Sequence, residues 1–162
     1  MKNTKVKNVK PDHYSNDDEL ISSALRCLES RLKYSHDKPL NSSSNVKNFL
    51  QLQLGAEKNE VFAVLFMDNH FRLLSFEKMF QGSINEAVVY PRCVVQKALE
   101  SNASRVILAH NHPSNILLPS EADKKLTSDL VNILKIVDIK VSDHIIVGAH
   151  GTYSFAEEGL LS

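Results

Sequence analysis

His110 and His112 are separated by one residue, and in extended backbone that spacing projects both imidazoles to the same side. Two imidazoles aimed at one point suit a zinc ion, which takes about four ligands at roughly 2.0–2.2 Å for nitrogen or oxygen and, in a catalytic site, leaves one position to water. A third protein ligand is then required. Asp123 is the best candidate: it falls in the first turn of the next helix, and the loop between Pro113 and Pro119 can fold that turn back onto the strand end. One zinc per chain is expected. Zinc lowers the pKa of a bound water toward neutrality, but a base must still collect the proton and return it to a leaving amine. Glu60, at the start of a nearly continuous apolar run where a charge would otherwise be awkward, is the preferred base, with Glu57 as a rival. The oxyanion formed when an amide is hydrolysed wants a hydrogen-bond donor, and the Ser120 hydroxyl lies three residues before Asp123. Ser120 is equally a natural helix N-cap, with Asp123 completing a capping-box-like spacing, and the two uses are compatible.

The elements that must position these residues are legible in the hydropathy. Residues 104–109, with Val106-Ile107-Leu108, read as a strand that delivers the chain into His110, and Ser120 to about Ile136 reads as a helix with Leu126, Leu130, Ile133, Leu134 and Val137 on one face. Upstream, residues 60–67 form a buried strand ending at the turn-forming Asp68-Asn69, and residues 71–80 return as its neighbour before Gly82. Pro91 opens a helix carrying Val94, Val95, Ala98 and Leu99. Strands over 139–147 and 152–155 close the domain. Before all of this, residues 1–16 read as a polar lysine-containing tail, and residues 17–55 as a helical N-terminal extension. In that extension one helix runs from Asp17 to about Lys33, with Asp17, Asp18 and Glu19 in its first turn, and a second ends at Gly55 after a polar break containing Pro39. Residues 56–162 form the catalytic domain, an α/β (α+β) fold with a mixed central sheet flanked by helices.

Composition narrows the partners. The 162 residues are 43% hydrophobic, enough for one core but too few for two full-size domains, and the formal net charge is zero. Nothing global draws the chain to a polyanion or an acidic membrane surface, and four lysines in the tail are weak support for nucleic-acid binding. The charges are spread too evenly for a bilayer span, and the N-terminus has no apolar leader. Cys27 and Cys93 have no near neighbour of their own kind, so a cytoplasmic, soluble protein is expected. Cys93 reads as a core position, and His13, His36, His70 and His150 as solvated. His144, beside Asp143 on an apolar strand, reads as packing or site support rather than a ligand.

The spacing His110-Asn111-His112-Pro113, six residues, Ser120, two residues, Asp123, with Glu60 upstream, resembles the JAMM (MPN-type) metalloprotease motif. More narrowly, Tyr90-Pro91-Arg92, His110 to Ser114, Pro119 to Asp123, Asp143 to Gly148 and Tyr153-Ser154-Phe155 are similar to the RadC family of bacterial proteins, over about residues 55 to 162. The resemblance implies a JAMM/MPN-like (cytidine-deaminase-like) domain. It further implies zinc on His110, His112 and Asp123, Glu60 holding the catalytic water, and Ser120 supporting the oxyanion, with a peptide or protein as substrate. Two departures stand out. Asn115 occupies a position that is usually glycine, and the first fifty residues lack the Gly-rich helix-hairpin-helix of longer relatives, which weakens any direct contact with DNA. The alternatives are a zinc-binding or DNA-repair-associated interaction module without turnover and, less favoured, a nuclease. The literal His-Asn-His string is too compact for the ββα nuclease unit. No His-Glu-x-x-His of a zincin occurs, nor the Pro-Cys-x-x-Cys of a zinc deaminase.

Overall fold

The computed structural model describes residues 14–34, 43–82 and 88–161. The helices are α1 (Tyr14–Tyr34), α2 (Ser43–Leu54), α3 (Pro91–Glu100) and α4 (Glu121–Ile136), and the strands β1 (Val61–Met67), β2 (Leu73–Gln81), β3 (Arg105–Asn111), β4 (Lys140–Gly148) and β5 (Gly151–Ser154). The strands form one mixed sheet in the order β2-β1-β3-β4-β5. Among the described residues only β3 and β4 run parallel; the pairs β1/β2, β1/β3 and β4/β5 are antiparallel. Among the described residues four helices flank this sheet, which is the mixed α/β architecture expected from the sequence.

Every residue of β1 is buried, which explains why it reads as continuously apolar rather than alternating. Alternation reappears in what each side chain meets. Val61, Ala63, Leu65, Ile107, Ala109, Ile145 and Val147 pack with Phe49, Leu50 and Leu54 of α2. Phe62, Val64, Phe66, Val106, Leu108 and Val141 pack on the other face with Val94 and Ala98 of α3 and Leu130 and Leu134 of α4. The sheet is therefore the middle layer of three, and α2 shares its core. Ser43 and Lys47 tie α2 to Glu157 after β5, at 2.7 and 2.5 Å.

Some boundaries differ from expectation. The first helix starts at Tyr14, within the expected tail, so of the three acidic residues only Asp17 falls in its first turn. The returning strand begins at Leu73, not Phe71, because Asp68 closes a turn of its own: its carboxylate accepts from the backbone N–H groups of His70 and Arg72 and from Arg72 Nε. Phe71 sits inside that turn with φ 59°. His13, His36 and Pro39 lie outside the described residues, His70 and His150 are exposed, and Cys93 is half-buried on α3.

The parallel β3/β4 pair positions the site. Joining two parallel strands needs a crossover, here α4, so the first turn of α4 must return past the C-terminal end of β3. His110 lies inside β3, paired with Phe62 of β1 and Ile146 of β4, and its even-numbered register points it to the face that α4 covers.

Candidate metal centre

His110, His112 and Asp123 come together at that strand end, with one ligand atom from each lying within 4.8 Å of the others. His110 Nε2 is 3.0 Å from His112 Nε2 and 3.2 Å from Asp123 Oδ1, and His112 Nε2 is 3.6 Å from Asp123 Oδ2. Two ring nitrogens and a carboxylate facing one point are a donor set that suits a borderline-soft divalent cation. The three residues thus form a group that could bind a metal.

Each of the three side chains is held from behind. His112 Nδ1 donates to the Ile116 carbonyl at 2.5 Å, which directs Nε2 inward and folds the loop over it. The loop is pinned further by Asn115, whose φ of 60° is the left-handed conformation that asparagine tolerates. Its Oδ1 also accepts from the Ala149 N–H at 2.7 Å, a bond that glycine would lack. Leu117 rests on Gly148 and Gly151, where a Cβ would come within 2.9 and 3.2 Å of its methyl groups. Asp123 is fixed by the capping box at the start of α4. Its Oδ2 accepts from Ser120 N and Ser120 Oγ, both at 2.7 Å, and its N–H donates to Ser120 Oγ at 3.1 Å. The Ser120 hydroxyl proton is therefore turned toward the Asp123 carboxylate.

Charge follows from these contacts. Donation to the Asp123 carboxylate raises His112 above the ordinary histidine value; burial opposes this, while the Ile116 carbonyl and the charges of Asp123 and Glu60 add to it. Burial disfavours the Asp123 carboxylate, but its close contacts with His110, His112 and Ser120 outweigh that penalty and hold it well below the usual carboxylate range. His144 is fully buried, and desolvation, followed by the neighbouring histidines, drives it well below the ordinary value, so it stays neutral.

Glu60 precedes β1. It lies two residues before Phe62, which pairs antiparallel with His110. Its charge acts on the His112 ring, and its backbone carbonyl accepts from Gly82 N at 2.9 Å. Glu57, the rival, instead makes an ion pair with Lys78 at 2.6 Å.

What sequence reasoning missed is how the segment bearing Glu60 is held. Asn111, between the two histidines, points to the opposite face, where its Oδ1 accepts from Val61 N at 2.8 Å and its Nδ2 donates to the carbonyls of Glu57 and Asn59 at 3.2 and 3.1 Å. The signal was available: a polar residue alternating inward among apolar ones must find partners. Asn111→Ala is expected to destabilise the fold by about 3 kcal/mol in chemical denaturation, because it leaves buried backbone groups without partners. No change in midpoint would show that water replaces the amide.

A family model described as the RadC-like JAB domain matches residues 40–160. A UPF0758 protein of Methylibium petroleiphilum is 49% identical over 142 residues, which cover 88% of this chain and 63% of the relative. The UPF0758 protein YkfG of Escherichia coli is 48% identical over 145 residues, covering 90% and 91%. A third, from Ralstonia nicotianae, is 44% identical over 149 residues, covering 92% and 66%. The chain therefore spans less than two thirds of the Methylibium relative and nearly all of YkfG.

Proposed function

The chain belongs to the RadC-like JAB domain family, with its JAMM-type fold, and from that premise we propose that it is a zinc-dependent hydrolase of amide bonds, a metallopeptidase or isopeptidase. The observation that carries this reading is the convergence of His110, His112 and Asp123 within 4.8 Å beside the charge of Glu60. Those three side chains would hold the zinc, which when bound supplies a Lewis acid able to polarise a carbonyl and lower the pKa of water.

The chain's own residues do the rest. Glu60 takes a proton from water as its oxygen attacks the carbonyl carbon, then delivers that proton to the nitrogen as the carbon–nitrogen bond breaks. Asp123 and His112 stay fixed, since the capping box and the Ile116 carbonyl hold them. Ser120 donates to Asp123 Oδ2 at rest. Turned from that oxygen, the same hydroxyl would donate to the oxyanion without losing its place as N-cap acceptor. The substrate we propose is a peptide or protein, for which no charged nucleic-acid surface is needed: the net charge is zero. Among the described residues no helix is long and apolar enough to cross a membrane.

Incubating zinc-loaded protein with a cell-derived polypeptide mixture, then sequencing newly formed N-termini and branched-lysine remnants, tests this. New termini that vanish with a chelator and return with zinc are the expected outcome; none above the control would overturn the hydrolase reading in favour of a binding module.

A further inference from the structure

Behind His110 runs a line of buried contacts that no metal ligand requires for its own sake. His110 Nδ1 is 2.8 Å from His144 Nε2 on β4, His144 Nδ1 is 2.6 Å from Thr127 Oγ1 on α4, and Thr127 Oγ1 donates to the Asp123 carbonyl at 2.6 Å. His144 is 0% exposed and Thr127 3%, so water does not compete for these bonds. His144 stacks on Phe155 at 4.8 Å and meets the Phe62 ring edge-on at 6.0 Å.

The direction of the whole line is fixed at one end. A carbonyl can only accept, and a hydroxyl has a single proton, so Thr127 must give that proton to Asp123. If it turned to His144 instead, two acceptor oxygens would face each other at 2.6 Å. With its proton committed, Thr127 accepts from His144, which carries its hydrogen on Nδ1. His144 Nε2 then has a lone pair and accepts from His110, which also carries its hydrogen on Nδ1. His110 Nε2 is left as a lone pair facing Asp123 and His112.

We propose that Thr127 and His144 are positioning residues that set the tautomer of His110, so that its ε-nitrogen is ready for a cation before one arrives. The relay runs from the Asp123 carbonyl through Thr127 and His144 to His110, whose ε-nitrogen lies 3.2 Å from the Asp123 carboxylate. It therefore also ties the start of α4 to β3, across β4. His112 reaches the same tautomer by a separate route, through the Ile116 carbonyl. An unsupported imidazole spreads its proton over both nitrogens, and a ligand with the proton on the wrong one must rearrange before binding.

The inference rests on the metal-centre reading, but its test has a part that does not. In Thr127→Val the shape is kept and the acceptor is lost, so His144 has no reason to hold its proton on Nδ1. With the proton on Nε2 it would donate to His110 and push that ring's hydrogen onto the ligand nitrogen. Thr127→Ser keeps the hydroxyl. We expect long-range proton–nitrogen NMR of the metal-free protein at alkaline pH to show His110 and His144 with hydrogen on Nδ1 in the wild type and Thr127→Ser, and His110 shifted toward Nε2–H in Thr127→Val. Zinc affinity, measured by competition with a chromophoric chelator, should fall 10- to 100-fold in Thr127→Val and return to within about threefold of wild type in Thr127→Ser. Thermal unfolding of the metal-free variants controls for folding, and His144→Phe, which keeps the stack on Phe155, should match Thr127→Val in zinc affinity. A wild-type His110 with its hydrogen on Nε2, or equal affinity in Thr127→Val, overturns the relay. Wild-type protein that shows the δ1 tautomers yet binds no zinc would leave the relay standing and sink the metal-centre reading.

Discussion

Protein purified without added metal is expected to carry one zinc per chain by elemental analysis, and His112→Ala less than half of that. His112 is the ligand to remove first because it sits at the mouth of the site, 16% exposed, whereas His110 is 2% exposed and bound into the β3 core. Losing it leaves two protein donors where a zinc site needs three or four, while the capping box and the relay behind His110 stay in place. Equal zinc in both proteins would reject the ligand assignment. The same residue sets a pH dependence. Its pKa is raised above the ordinary 6.5, chiefly by Asp123, so proton and zinc compete for one ring. Zinc loading should weaken as pH falls through that raised value, while Asp123, held far below the usual carboxylate range, stays charged throughout. For the metal-free fold the sign is opposite. A histidine raised on folding contributes stability that is fully present below the unfolded value of 6.5 and is lost as pH rises through the folded one. At low pH a proton bridges the charges; at higher pH zinc is expected to take its place. His112→Ala should flatten both curves.

The parts of the fold written in local pattern were readable in the sequence. β1, β3 and α4 announce themselves by apolar runs and helical spacing, and the crossover between parallel strands then dictates that the helix start meets the strand end. That is why His110, His112 and Asp123 could be brought together on paper. Strand ends were harder. β2 starts late because Asp68 captures three donors around Phe71, a competition between side chain and ladder that hydropathy does not register. The first helix begins at Tyr14 among polar residues that carry no apolar period of their own. The supports of the site were hidden for a different reason. Thr127 reads as an indifferent helix residue and Asn111 as a spacer, because their partners are 17 and 50 residues away in sequence. Only the register of β3 with β4 and with β1 reveals them. Asn115 shows the reverse case: its tolerance of a left-handed backbone was foreseeable, but its bond to Ala149, 34 residues on, was not.

Glu60→Gln is expected to retain zinc and unfold at the wild-type temperature, yet to lower kcat on any substrate found by the N-terminal survey by a factor of 10² to 10⁴. Glutamine preserves size and the Glu60 carbonyl bond to Gly82, and Glu60 is outside the three-residue group that could bind a metal, so the donor set is kept. What the amide cannot do is accept a proton from attacking water. KM should change little, because a base acts on the transition state more than on bound substrate. Glu57→Gln is the control: it breaks only a partly exposed ion pair with Lys78, worth about 1 kcal/mol or less, and should leave kcat unchanged. A second readout follows from electrostatics alone. The Glu60 charge helps raise His112, so its neutralisation should lower the pH at which zinc loading is half complete, whatever the substrate. If kcat survives Glu60→Gln while that midpoint moves, the carboxylate stands beside the metal centre without serving as its base, and the proton must leave by another group. If zinc is lost along with activity, Glu60 is a ligand, and the division of labour between three holders and one base fails.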